Sequence, residues 1–148
     1  MKIQQLSIFV ENKSGRLAEI TEALAQSDID IRAMSVADTS DFGILRLIVD
    51  KPEEAVVAFR EAGMTVSLTS VIAIGVHDKP GEFAKAVRLL ADNDIDVEYI
   101  YAFISREKGK AFVILRVNDE DRAIDLLSKS GFTPVSYTHL RAHETRRH

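Results

Sequence analysis

Residues 10–31 read V-E-N-K-S-G-R-L-A-E-I-T-E-A-L-A-Q-S-D-I-D-I, and residues 76–97 read V-H-D-K-P-G-E-F-A-K-A-V-R-L-L-A-D-N-D-I-D-V. Slid by 66 positions, the two stretches agree at nine of 22 residues: Val10, Lys13, Gly15, Ala18, Leu24, Ala25, Asp28, Ile29 and Asp30 with their partners. A match of that density marks an internal duplication, so one fold reading must serve both copies. After a two-residue slip the correspondence resumes, with Ala55 on Ala123, Gly63 on Gly131 and Thr65 on Thr133. The slip falls between Asp38 and Gly43 in one copy and near Ser105 to Gly109 in the other, where a hairpin loop absorbs length changes.

Working outward, each copy reads strand, helix, strand, strand, helix, strand. Residues 3–10 alternate around Leu6, Ile8 and Val10, the period of a half-buried strand. Residues 14–26 carry Leu17, Ile20, Leu24 and Ala25 on one helical stripe, with Ser14 available as cap. Ile29, Ile31 and Ala33 open a second strand, with Met34 and Val36 on its other face. The stretch D-T-S-D-F-G predicts a turn, and I-L-R-L-I-V the next strand. Asp50 is a candidate cap and Pro52 a first-turn residue for a helix that presents Ala55, Val56, Phe59 and Ala62 and ends at Gly63. Residues 64–69 complete the copy. The second repeats it with Phe83, Val87, Leu90 and Ala91 on one helix, and Ala123, Ile124 and Leu127 on the other. The order predicts an α+β fold, two ferredoxin-like βαββαβ units with antiparallel sheets and helices on one face. The expected division is residues 1–69, residues 70–136 and a tail at 137–148.

Composition narrows the function classes. The 148 residues include no cysteine, which excludes disulfides, thiolate metal sites and cysteine nucleophiles. The 19 basic and 23 acidic residues give a net charge of −4, which argues against a nucleic-acid partner. No apolar run approaches the roughly 18–20 residues of a membrane span, and the amino terminus lacks a signal-peptide core. The expectation is a cytoplasmic protein without a membrane partner.

The loops after the first strands, E-N-K-S-G-R-L and H-D-K-P-G-E-F, hold the most chemistry. Each sets a glycine where a strand turns into a helix. A helix amino terminus offers unpaired N–H groups and partial positive charge to a carboxylate, and glycine admits a ligand close to the backbone. Asn12 and Asp78 could accept from an ammonium group, so that together the loop would read both ends of an α-amino acid. The same residues also serve as ordinary turn glycines and local caps, and the pattern alone leaves both readings open.

These loops, N-K-S-G-R-L-A-E-I and D-K-P-G-E-F-A-K-A, followed by D-I-D-I and D-I-D-V, resemble the ACT domain, a ferredoxin-like regulatory module that commonly binds amino acids at domain interfaces. The hairpin A-D-T-S-D-F-G-I-L-R-L-I-V-D is similar to that of small stand-alone tandem-ACT proteins. The resemblance covers residues 1–136. It implies ligand contacts at Asn12, Gly15 and Leu17 and at Asp78, Gly81 and Phe83, with Ser14, Arg16, Pro80 and Glu82 beside them. The proline usual before the glycine is Ser14 in the first copy and Pro80 in the second. The expected function is non-catalytic: amino-acid sensing that regulates a partner enzyme or regulator in trans, in a homodimer, with no cofactor. The alternatives are a protein-interaction module without ligand and a small ferredoxin-like enzyme.

Other patterns fall short of their chemistry. D-N-D-I-D at 92–96 lacks the glycine and glutamate of a calcium loop, with Val97 and Phe103 in their places. Gly109-Lys110 lacks the earlier glycine of a phosphate loop. His77 has no orienting partner in sequence and reads as a surface residue at a strand end. The tail, Y-T-H-L-R-A-H-E-T-R-R-H after Ser136, has no counterpart in the first copy and resembles a translated adaptor sequence, so its three histidines carry no metal-site expectation.

Overall fold

The first stretch builds β1 (Lys2–Glu11), where Leu6 and Ile8 are fully buried on either side of a half-buried Ser7, and Gln5 is buried as well. The computed structural model describes residues 2–11, 13–38, 41–103 and 109–135. The expected tail at 137–148 lies outside the described residues. The chain divides into two units, one of Gln4–Thr69 and one of Met1–Ile3 with Ser70–His148. The first holds most of β1, then α1 (Arg16–Gln26), β2 (Ile31–Asp38), β3 (Phe42–Val49), α2 (Pro52–Glu61) and the start of β4 (Val66–His77). The second holds the rest of β4, then α3 (Glu82–Asp92), β5 (Val97–Phe103), β6 (Lys110–Val117), α4 (Glu120–Lys129) and β7 (Thr133–Pro134).

Strand order is β2-β3-β1-β4 in the first unit and β5-β6-β4-β7 in the second. Both are βαββαβ units of the ferredoxin-like kind, as the repeat predicts. In the first, Leu6 and Ile8 stand opposite Leu47 and Leu45 across an antiparallel ladder. That face meets Ile20 and Leu24 of α1 and Ala55 and Phe59 of α2, so both helices cover one side. The second unit repeats the arrangement with Ile72, Ile74 and Leu115 under Ala86, Leu90, Ala123 and Leu127. Each fully buried leucine or isoleucine contributes roughly 1.5–3 kcal/mol relative to exposure.

Several local expectations are corrected. The residue that opens α1 is Gly15 rather than Ser14, and its side is not closed by any side-chain hydrogen bond. Lys51, not Asp50, precedes α2, with Pro52 in the first turn as expected. Phe42 and Gly43 belong to β3 rather than to the turn. A register shift between Ile31 and Ala33 breaks the alternation of β2. Met34 and Val36 consequently lie opposite Leu47 and Leu45, on the helix side. A bulge adds one residue and reverses the faces beyond it. β5 has the same shift between Val97 and Tyr99.

The repeated D-I-D run is a helix ending. Asp28 and Asp94 sit at φ 56° and 57°, in the left-handed region. The next N–H groups, of Ile29 and Ile95, return to the carbonyls of Leu24 and Leu90, each at 2.9 Å. The two isoleucines are thereby buried against the leucines they close upon, the hydrophobic form of this helix stop. The second aspartate then joins a clamp. The Asp30 N–H donates to Asp50 Oδ1 at 2.9 Å, and the Asp50 N–H donates to the Asp30 carbonyl at 3.2 Å. In the other unit Asp96 and Asn118 make the same pair of bonds, at 3.1 and 3.2 Å. So Asp50, read as a helix cap, instead ties the start of one strand to the end of another.

Asp50 is 1% exposed, whereas Asn118 is exposed. Replacing Asp50 by alanine takes the acceptor from the half-buried Asp30 N–H and is expected to cost about 1–3 kcal/mol. Asn118→Ala, where water can substitute, is expected to cost clearly less. Urea unfolding of the two variants checks the order; equal losses would refute it.

Candidate functional site

The described residues of the two strand-to-helix loops make the same turn with the same backbone hydrogen bonds. The Lys13 N–H donates to the Glu11 carbonyl at 2.8 Å, and the Lys79 N–H to that of His77 at 2.9 Å. Arg16 and Glu82 donate back to the carbonyls of Lys13 and Lys79, at 3.2 and 3.3 Å. Gly15 and Gly81 then stand at φ 85° and 89°, and their carbonyls accept from Glu19 and Lys85, both at 3.0 Å. A side chain at either glycine would meet nothing within 4 Å. The glycines are therefore required by backbone conformation, not by crowding.

Among the described residues, no side-chain cap hydrogen bond is made at the glycines that open α1 and α3. The contrast is α4, where Asp119 accepts from the Arg122 N–H. The amino terminus of α1 opens onto a cavity of about 170 Å³. Leu17 and Ile20 of α1 line it together with Val10 of β1, Val36 of β2, and Gly43 and Leu45 of β3. Gly43 stands opposite Val10 in register and brings no side chain, which leaves room beneath the helix. Lys13 and Arg16 form the cationic rim with Glu11. Lys13 pairs with Glu11 at 2.7 Å and Arg16 with Glu19 at 3.2 Å. The Lys13 hydrogen bond holds the Glu11 carboxyl below its ordinary range. Such exposed pairs are worth little and yield readily to a competing anion. Leu17 and Val36 are 44% and 52% exposed, an apolar surface that a ligand would cover.

Of the residues the sequence singles out in the first loop, Arg16 and Leu17 line this cavity, while Ser14 and Gly15 shape the turn beside it. Asn12 lies outside the described residues. In the second loop Asp78 donates its backbone N–H to the Gly109 carbonyl at 2.9 Å, and Pro80 and Gly81 form the exposed turn. Phe83 is 42% exposed, and Glu82 faces a different cavity from the one its counterpart Arg16 faces. The sequence reading missed Val36, Gly43 and Leu45, which reach the site from the hairpin; the inverted face of β2 hid Val36. Among the described residues no group of histidine and acidic side chains could hold a metal ion. Among them, no helix is long and apolar enough to cross a membrane.

The family profile described as "ACT domain pair" matches residues 1–140. The crystal structure of protein BT0572 from Bacteroides thetaiotaomicron is similar, with 37% identity and a TM-score of 0.88, over 95% of this chain and 96% of that one. The ligand-free regulatory subunit of aspartate kinase from Thermus thermophilus shares the fold, at 18% identity and a TM-score of 0.63 over 86% of this chain and 92% of that one. The corresponding subunit from Thermus flavus gives 16% and 0.61 over the same shares. A comparison with curated proteins found no match.

At the two glycines, valine is expected to cost about 1–2 kcal/mol, because a β-branched residue resists the left-handed region, whereas asparagine tolerates it. Urea unfolding of Gly15→Val against Gly15→Asn, and of the Gly81 pair, measures this. Equal stability of the valine and asparagine variants would refute the backbone argument.

Proposed function

Because this chain belongs to the ACT domain pair family, we propose that it is a non-catalytic regulatory protein whose first repeat binds a free amino acid with an apolar side chain. One observation carries the reading: the glycine-opened amino terminus of α1 and the apolar cavity of Leu17, Val36 and Leu45 adjoin within one unit. The ligand carboxylate would take the helix N–H groups and Arg16, and its side chain would enter the cavity. The small volume suits a branched aliphatic side chain better than an indole. An amino acid there bridges α1 and the β2–β3 hairpin, and so favours one arrangement of them. A partner protein that binds that arrangement better reads the signal in trans. The edge strand β2, with Met34 and Val36 exposed, is the surface we assign to pairing with a second copy.

A thermal-shift series of the full chain against the twenty amino acids tests this. A ligand at a hundred times its dissociation constant adds about 2.7 kcal/mol, which is several degrees of melting temperature at this size. Branched aliphatic amino acids are expected to raise Tm, Arg16→Gln to weaken the response and Val36→Glu to remove it. If no amino acid shifts Tm and a stable protein partner is captured instead, the loops are only turns and the chain is an interaction module.

A further inference from the structure

The second repeat has a larger cavity, of about 490 Å³, on the other flank of its first helix. It opens between α3, β4 and the turn from α4 into β7. The residues around it differ from those of the first repeat. Five positions around it, matched through the duplication, are Phe9, Glu11, Arg16, Glu19 and Phe42 in the first copy and Gly75, His77, Glu82, Lys85 and Lys110 in the second. In the first copy Phe9 and Phe42 stack at 5.0 Å. In the second, that aromatic pair is a glycine and a lysine. Gly75 stands beside Phe112, whose ring would lie 3.0 Å from any added Cβ, and beside Thr133. With no side chain on Gly75, Lys110 of β6 reaches past β4 to donate from Nζ to Thr133 Oγ1 of β7 at 3.0 Å.

The electrostatics change in the same direction. Two acids of the first copy are replaced by His77 and Lys85, and an aromatic ring by Lys110. The one acid gained, Glu82, is already engaged by Lys85 at 3.1 Å. Lys110 is half-buried, and among the described residues its bond is to a neutral hydroxyl, with no carboxylate in ion-pair reach. An ammonium has three donors, and the cavity gives a bound anion access to Lys110. Its remaining wall is apolar, with Val76, Leu89 and Phe132.

We propose that this cavity is a second ligand site, for a small molecule that carries an anionic group (carboxylate or phosphate) on an apolar body. Lys110 and Thr133 hold the anion, with Lys85 released from Glu82 to join them, and Leu89 and Phe132 cover the apolar part. The site is independent of the amino-acid site of the first repeat, whose matching positions carry two exposed, stacked aromatic rings instead of Gly75 and Lys110.

The test is a nuclear magnetic resonance titration of the ¹⁵N-labelled full chain with three probes: inorganic phosphate, phenyl phosphate and phenylacetate. Saturable shifts are expected at the amides of Gly75, Lys110, Gly131 and Thr133, stronger for the probes with a ring than for phosphate alone. The better of phenyl phosphate and phenylacetate names the anionic group. Lys110→Gln should weaken binding roughly tenfold or more, the loss of one charge-assisted hydrogen bond. Lys129→Gln, a lysine outside the cavity, should leave it unchanged and serves as the control for general charge attraction. Absence of saturable shifts with all three probes in the unaltered chain would overturn the proposal, as would equal affinity in Lys110→Gln. Neither result bears on the first-repeat reading, whose response is followed at Leu17 and Gly43.

Discussion

The turn from strand into helix and back, made within very few residues, is the constraint on which the rest of this structure depends. A chain that must leave β1 or β4 and start a helix over the same sheet has to reverse its backbone sense, and Gly15 and Gly81 do so in the left-handed region. At the far ends of the same helices Asp28 and Asp94 take that conformation again, and the isoleucine that follows is pressed into the core. Each of α1 and α3 is thus held between two left-handed residues. The position of the helix over the sheet, and with it the position of its amino terminus, follows from those turns. Asparagine and aspartate tolerate this region better than other side chains, which is why a D-I-D run can stand where glycine is more usual.

On that common frame the two copies have diverged at their flanks. The first stacks Phe9 on Phe42, both exposed, on the helix-free side of β1 and β3, and keeps its opening under the amino terminus of α1, against the β2–β3 hairpin. The second leaves Gly75 in place of the ring and opens between α3 and β7. Neither change disturbs a core position, because Phe9 and Gly75 face away from the helices that Ile8 and Ile74 pack beneath. Duplication supplied two equivalent scaffolds, and side chains that the cores do not use were free to differ in charge and size.

The periodicity of buried residues made the elements legible from sequence: Leu6 and Ile8 at period two, Ile20 and Leu24 at helical spacing, and the same set again in the second copy. Pro52 and Gly63 marked the limits of α2 through their backbone chemistry alone. What misled the reading was local and polar. Ser14 and Asp50 have cap-forming side chains, but a left-handed glycine opens α1, and Asp50 is drawn into the clamp with Asp30. The bulge at Ile31 to Ala33 carries no residue that announces it, since the inserted residue is an arginine that would suit an exposed strand position equally well.

The sequence by itself determined the duplication, the order of elements, the composition of both cores and the two loops at which ligand chemistry could be sought, because those rest on spacing along one chain. The tertiary structure decided which side chains share a cavity. Val36, Gly43 and Leu45 reach Leu17 only through the register of β2 on β3 and β3 on β1, and Lys110 reaches Thr133 only across a strand that has a glycine there. Both meetings join residues more than 18 positions apart. They depend on which face each strand presents, a property that one bulge reverses and that no single segment of sequence encodes.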